Sequence, residues 1–316
     1  MTGPSPDTTQ HRPIMVSEVL AYLRPAPGET VVDCTVGGGG HARAILPLLQ
    51  PGGRLIGLDV DPLELPATRA RLREAGFGPE SFSTEQANFR FLPDVLASHG
   101  CRRVEGILID LGVSSMQHDT PARGFSYKHP GPLDLRMDPT SGSPAWQRLD
   151  TMDAASIAAI LRAYADEPHA DLIGPLLVDA RPRTTNALER IVRLGLTAAL
   201  PALPRAEVKM SVRRTFQALR ILVNDEIAAL QALLDALPDC LAPGGRVVVL
   251  TFHSGEDRRV KQAFRSGRRS GVYAAVAQSV VRSAREETFS NRRAASAKLR
   301  WAVRAGRDRD SVVRRR

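Results

Sequence analysis

The stretch Thr30-Val-Val-Asp-Cys-Thr-Val-Gly-Gly-Gly-Gly-His41 decides how this chain folds. Val31, Val32 and Val36 belong to an apolar run too short for a helix. Four consecutive glycines then let the backbone turn sharply and approach a ligand with no side chain in between. Helical spacing follows from about His41 to Leu49, and Pro51-Gly-Gly53 stops it. Arg54-Leu-Ile-Gly-Leu-Asp59 reads as a second strand. A strand, a glycine turn, a helix and another apolar strand form a βαβ unit, and its strands run parallel because the helix carries the chain back.

The same alternation extends outward. Helical spacing over 63–75, a strand near Phe82–Ala87, helical spacing over 91–99 and a strand over Val104–Leu111 follow in turn. Strands apolar on both faces need helices on both sides, so the fold is α/β around a parallel sheet. Between 118 and 206 the strand signals vanish, and helices are predicted over 154–165, 170–180 and 186–200. This reads as an inserted helical domain, 118–206, interrupting a sheet domain made of 13–117 and 207–316. Residues 1–12 are expected to be disordered, and Ile14, Val16, Val19, Leu20 and Leu23 predict a helix after them. Apolar positions from Phe216 to Leu234 predict one long helix over Arg214–Leu237. Pro243-Gly-Gly245 then turns into a strand, Arg246–Phe252, and alternation at Leu299, Trp301 and Val303 predicts another.

The net charge of +9 is unevenly placed. Residues 261–316 hold 16 Lys and Arg against 4 Asp and Glu, so the remainder is slightly acidic. A basic segment on a near-neutral globule suits a phosphate-rich partner, and equally a solvated tail. Cys34, Cys101 and Cys240 are odd in number and far apart, with neither disulfide nor metal-ligand spacing, which points to a reducing compartment. The N-terminus lacks the apolar run of a signal peptide, and no stretch reaches the ~20 apolar residues of a membrane span. A cytoplasmic location with no membrane partner is expected.

The glycine turn alone does not choose a ligand, since Gly37, Gly39 and Ala42 also satisfy a dinucleotide fingerprint. Asp59 suits ribose hydroxyls in either case. Asp33 does discriminate, because a carboxylate behind the turn opposes a pyrophosphate and suits a ligand carrying ammonium and sulfonium groups. S-adenosylmethionine is therefore the expected cofactor. Asp110-Leu-Gly-Val-Ser-Ser115 ends the fourth strand, at the edge where open parallel sheets bind ligands. A carboxylate there can accept an amine N–H, bind the cofactor, or cap the following segment. No cysteine sits in a Pro-Cys pair and no three cysteines cluster, so transfer to a ring carbon or by iron–sulfur radical chemistry is not expected.

Several segments resemble the 16S ribosomal RNA (cytosine-N4) methyltransferase family, RsmH, also called MraW. They are His11–Leu20, Asp33–His41, Gly106–Ser115, Arg123–Ser126, Gly131–Asp138, Arg214–Ile221, Thr251–Ser254 with Glu256–Arg258, and Ser296–Arg300, in family order over nearly the whole chain. The resemblance implies a class I, Rossmann-like methyltransferase sheet with an inserted helical substrate-recognition domain. It also implies S-adenosylmethionine-dependent N4-methylation of a decoding-centre cytidine of 16S ribosomal RNA in the small subunit. Carried over by position, Gly39, Gly40, His41, Asp59, Phe89, Asp110 and Gln117 would contact the cofactor, and Asp110 would be catalytic; no metal is implied. The chain departs from the family at Met210-Ser-Val-Arg213, Tyr164-Ala-Asp-Glu167, Gly255, Arg292, Ala295, Met116 and His118. His253 reads as an RNA contact, a base or a structural histidine. Asp134, Arg136 and Asp138 read as an ion-paired turn or a nucleotide pocket, and Lys298, Arg300, Arg292, Arg293 and Arg314–Arg316 as phosphate contacts. A nucleotide-dependent oxidoreductase and a ribosome-assembly binding module without turnover are the rival readings. The oligomeric state, monomer or homodimer, stays open.

Overall fold

A computed structural model describes residues 13–306. The expected disorder of residues 1–12, the phosphate contacts at Arg314–Arg316 and the side chains of Arg292 and Arg293 lie outside the described residues. The chain divides into a sheet unit, reaching to Gly112 and resuming at Gln231, and a helical unit, Val113–Leu230. The sheet unit opens with α1 (Val16–Leu23), β1 (Thr30–Asp33), α2 (Gly40–Leu49), β2 (Arg54–Asp59), α3 (Leu65–Glu74), β3 (Phe82–Gln86), α4 (Leu92–Ser98) and β4 (Val104–Asp110). The helical unit holds α5 (Ser115–Asp119), α6 (Ala145–Asp150), α7 (Ala154–Ala165), α8 (Ala170–Ala180), α9 (Thr185–Ala199) and α10 (Arg205–Asn224). After α11 (Glu226–Cys240) come β5 (Leu241–Thr251), α12 (Ser254–Arg269), β6 (Tyr273–Val276), α13 (Arg285–Ser290) and β7 (Lys298–Arg304).

The strands form one sheet in the order β3-β2-β1-β4-β5-β7-β6. The first five are parallel to their neighbours, and β7 runs antiparallel between β5 and β6. The chain leaves β1 towards β2 and β3 on one side and returns to β4 on the other. That switch opens a crevice at the carboxyl ends of β1 and β4. Register fixes what stands there. Asp33 pairs with Gly57 of β2 and Leu108 of β4, so Asp33, Asp59 and Asp110 all end their strands at one edge. Val31, Val32, Leu55, Ile56, Ile107, Leu108, Val247 and Val248 are fully buried, as strands covered on both faces require. Trp301 of β7 stacks on Tyr22 with ring centroids 5.3 Å apart and packs against this core.

The helical unit packs the apolar faces of α7 to α10 around Ile157, Leu161, Ile173, Leu177, Leu188, Val192, Val212, Phe216 and Leu219. It is wider than the 118–206 read from sequence. The expected helix Arg214–Leu237 is in fact α10 and α11, separated by Asp225 in the left-handed region at φ 50°. Asn224 explains the break: its amide donates to the Leu135 carbonyl (2.7 Å) and accepts from the Met137 N–H (2.7 Å), tying the helix end to a loop almost ninety residues earlier. Pro243-Gly-Gly245 is likewise not a turn before a strand. It forms an irregularity inside β5, where Val104 faces Leu241 and Gly106 faces Arg246.

Candidate active site at the carboxyl edge of the sheet

The glycine turn begins where β1 runs out. Gly37 and Gly39 have φ of 46° and 79°, and a Cβ on Gly39 would stand 2.9 Å from Thr68 Cγ2 of α3. A side chain there would meet both a left-handed backbone and a wall, so only glycine serves. Thr68 holds the turn from below, its hydroxyl donating to the Gly37 carbonyl (2.5 Å). From the other side, a Cβ on Gly40 would meet Pro13 at 3.0 Å. Asp59 grips the turn directly, accepting the Gly37 N–H at Oδ2 (2.8 Å) and the Asp61 N–H at Oδ1 (2.9 Å).

Three carboxylates converge on this turn. Asp33 is 1% exposed. Its Oδ1 accepts the Thr35 N–H (3.1 Å) and, more loosely, the Thr35 hydroxyl (3.4 Å). Thr35 Oγ1 in turn accepts the Asp110 N–H (2.7 Å), so a single hydroxyl fastens the ends of β1 and β4 together. Loss of water pushes the carboxyls of Asp33 and Asp59 each to about 6, and mutual repulsion adds to the rise at Asp33 while His41 opposes it. His41, 6% exposed in the first turn of α2, places Nε2 3.5 Å from Asp110 Oδ2, an ion-pair separation longer than a good hydrogen bond. Burial disfavours its charge, but Asp110, Asp33 and Glu287 outweigh burial and raise its pKa. Among the described residues, neither His41 ring nitrogen nor Asp110 Oδ1 has a hydrogen-bond partner, although all three atoms are buried. Buried polar atoms left in this state lack a partner that the described fold supplies.

These observations test the expected cofactor. The edge is anionic, its carboxylates are short of counter-charge, and the turn admits close backbone approach. An ammonium and sulfonium ligand fits that environment and a pyrophosphate does not.

The remaining residues fall as follows. Phe89 is half-buried in a helical turn directly after β3, on the same edge as Asp59, since the Ala87 N–H bonds to the Asp59 carbonyl (3.0 Å). Phe91 beside it is 53% exposed. Gln117 is buried in the helical unit, where its Oε1 accepts the Ser114 N–H (3.0 Å) in a capping box that starts α5. His253 caps α12: its Nδ1 accepts the Glu256 N–H (3.4 Å), and Glu256 Oε2 accepts the Phe252 N–H (2.8 Å). This cap gives His253 a structural role at the start of α12. Arg136 pairs in fork geometry with Asp134 (2.7 and 2.8 Å), while Asp138 caps its own turn through Thr140. Arg300 is 6% exposed and forks onto Asp257 (2.6 and 3.2 Å), with Lys298 at 3.8 Å from the same carboxylate. It holds β7 to α12 and is not a phosphate contact, because charge this buried must be paired within the fold. In the altered Met210-Ser-Val-Arg213 segment Ser211 and Val212 are buried, with Ser211 donating to buried Glu167 (2.9 Å), while Met210 and Arg213 are exposed. Thr35 and Glu287 escaped the sequence reading, since a lone threonine and an acid in a charged segment carry no local signature.

A parallel sheet with one antiparallel strand slotted beside its edge, an acid-backed glycine turn at the switch point and a second acid across from it define a class I, Rossmann-like methyltransferase. The chain belongs to the MraW methylase family, whose sequence profile matches residues 8–305. It is 43% identical over 300 residues to the protein named Ribosomal RNA small subunit methyltransferase H 1 of Lachnoclostridium phytofermentans, covering 93% of this chain and 81% of that one. It is 42% identical over 310 residues to Ribosomal RNA small subunit methyltransferase H of an Anaeromyxobacter species, covering 92% and 96%. Among solved structures, an rRNA methylase from Streptococcus thermophilus superposes with a TM-score of 0.43 at 11% identity, covering 94% of this chain and 99% of that one. Among the described residues, no helix is long and apolar enough to cross a membrane, and no group of three or more His, Cys, Asp or Glu is placed to hold a metal ion.

Proposed function

We propose that this chain methylates N4 of a decoding-centre cytidine of 16S ribosomal RNA, using S-adenosylmethionine, in an assembled or nearly assembled small subunit in the cytoplasm. One observation carries the chemistry: Asp110 Oδ1 is a buried acceptor with no donor among the described residues, at the switch-point edge beside the glycine turn. Gly39, Gly40 and His41 would line the cofactor, Asp59 would take its ribose hydroxyls, Phe89 would flank its adenine, and Gln117 would complete the set. When bound, S-adenosylmethionine supplies a methyl carbon activated for in-line displacement.

The exocyclic amine of cytosine is a weak nucleophile because its lone pair is delocalised into the ring. An acceptor on its N–H draws that pair back onto nitrogen and takes up the charge that develops as the nitrogen attacks. Asp110 Oδ1 does this, and the released proton passes to it and on to solvent. Asp110 is fixed for the task by its N–H bond to Thr35, and His41 stands beside its other oxygen. Asp33 supplies negative charge toward the cationic part of the cofactor without touching the amine.

The test is to incubate the protein with isotopically labelled cofactor and small subunits lacking the modification, then digest the RNA and identify the product by mass. N4-methylcytidine is expected. A labelled dimethyladenosine or ring-carbon product would refute the assignment, and tight S-adenosylhomocysteine binding with no transfer to any ribosomal particle would identify a binding module.

A further inference from the structure

Phe289 is the most exposed large apolar side chain among the described residues, at 93%. It lies on α13, a helix of six residues, Arg285–Ser290. That helix is tied to the cofactor turn. Glu287 accepts the N–H of Met15 (2.7 Å), and the neighbouring Pro13 packs against Gly40. Ala294, just past the helix, is buried in the core with Ile14 and Met15. Residues two apart on a helix point about 200° from one another. With Glu287 turned to the protein, Phe289 is held out to solvent on a helix tied to the turn that would receive the cofactor.

Exposed arginines flank Phe289. Arg285, one turn earlier on the same face, is exposed, as is Arg282 just before the helix, with exposed Glu286 the one acid on that face. A helix that docks on protein shows an apolar stripe over two or more turns, and α13 has a single large apolar side chain and no room for a stripe. A lone exposed aromatic flanked by arginines, in a segment carrying an excess of basic residues, is the chemistry of a base-stacking platform. We propose that Phe289 stacks on an unpaired base of the substrate RNA adjoining the target nucleotide, while Arg282 and Arg285 hold the flanking phosphates. The proposal rests on the reading of the substrate as RNA.

The experiment compares the wild type with Phe289→Ala, Phe289→Leu and Phe289→Trp in methyl transfer to unmodified small subunits, and in direct binding of a single-stranded fragment spanning the target. Both Ala and Leu should raise the KM and the Kd for RNA by about 10-fold, the equivalent of ~1.4 kcal/mol. The kcat, the S-adenosylhomocysteine affinity and the melting temperature should stay at wild-type values, because the side chain is 93% exposed. Trp should retain wild-type affinity and lose emission when RNA binds. Arg285→Gln should lower the salt slope of binding by about one. Wild-type affinity in Phe289→Leu would overturn stacking, since an apolar contact would then suffice. A change of sedimentation in Phe289→Ala would overturn it in favour of a second copy of the chain. If the wild type transfers no methyl group yet binds the fragment, the methylation reading falls and the binding arm still decides the role of Phe289. If it neither transfers nor binds, both fall.

Discussion

Replacing Asp33 by Asn should make the ligand-free protein more stable and its cofactor site worse. Asp33 is almost fully buried, and its carboxyl is raised from its ordinary value of 3.8 to about 6, chiefly by loss of water. The sign follows from proton linkage. Between those two values the folded chain binds more protons at this group than the unfolded chain does, so the ionised form costs stability above about pH 6 and the cost fades as pH falls towards 3.8. A rise of this size corresponds to about 3 kcal/mol at pH 7.5, falling to about half of that at pH 5 and to roughly a fifth at pH 4. Asn keeps the oxygen that accepts the Thr35 N–H and carries no charge. The variant should therefore melt about 6 °C higher than the wild type at pH 7.5, at roughly 2 °C per kcal/mol for a chain of this size. The gain should shrink by half at pH 5. S-adenosylmethionine affinity, read by calorimetry, should drop at least ~10-fold in the variant, since a buried counter-charge to its cationic groups is gone. In the wild type it should weaken as pH falls through about 6, where Asp33 and Asp59 both take up protons. A melting temperature at or below wild type at pH 7.5, or a gain of equal size at pH 7.5 and 5, would refute the account of Asp33 as an uncompensated buried anion awaiting a cation.

Gly39→Ala should cost about 2–3 kcal/mol, the sum of a left-handed backbone and a Cβ at 2.9 Å from Thr68, with loss of S-adenosylhomocysteine binding. Adding Thr68→Ser, which removes the clashing methyl and keeps the bond to the Gly37 carbonyl, should recover part of the melting temperature. Asp110→Asn should lower the single-turnover methylation rate at saturating cofactor by roughly 10²–10³-fold while RNA affinity changes little; an unaltered rate would remove Asp110 from the chemistry. Arg300→Met should destabilise the fold by about 2–3 kcal/mol in denaturant melts, because Asp257 loses its fork partner. Its salt dependence of RNA binding should match the wild type, which a phosphate-contacting arginine would not do.

Much of the fold was written locally. β2 spans Arg54–Asp59, and α7 and α8 span 154–165 and 170–180, as their periodicity predicts, because burial on one face or two leaves a repeat that neighbouring residues carry by themselves. The glycine turn with Asp33 behind it was equally legible, since backbone freedom and buried charge are properties of the residues concerned. The edge strand β6 escaped the reading, being four residues long with two alanines at its centre and defined by pairing with β7. So did the break at Asp225, which exists because Asn224 bonds to Leu135 and Met137. Arg300 reads as a surface cation until β7 is laid between β5 and β6 and Asp257 is brought beside it. The sequence by itself determined the parallel α/β sheet, the glycine turn and the acids that end its strands, because these follow from short-range sterics and hydrophobic pattern. Only the tertiary structure decided which charges are buried in pairs, that Thr35 bolts Asp33 to Asp110, and that Glu287 reaches Met15 across 272 residues. Each of those depends on partners distant in the chain, and no local pattern encodes a partner.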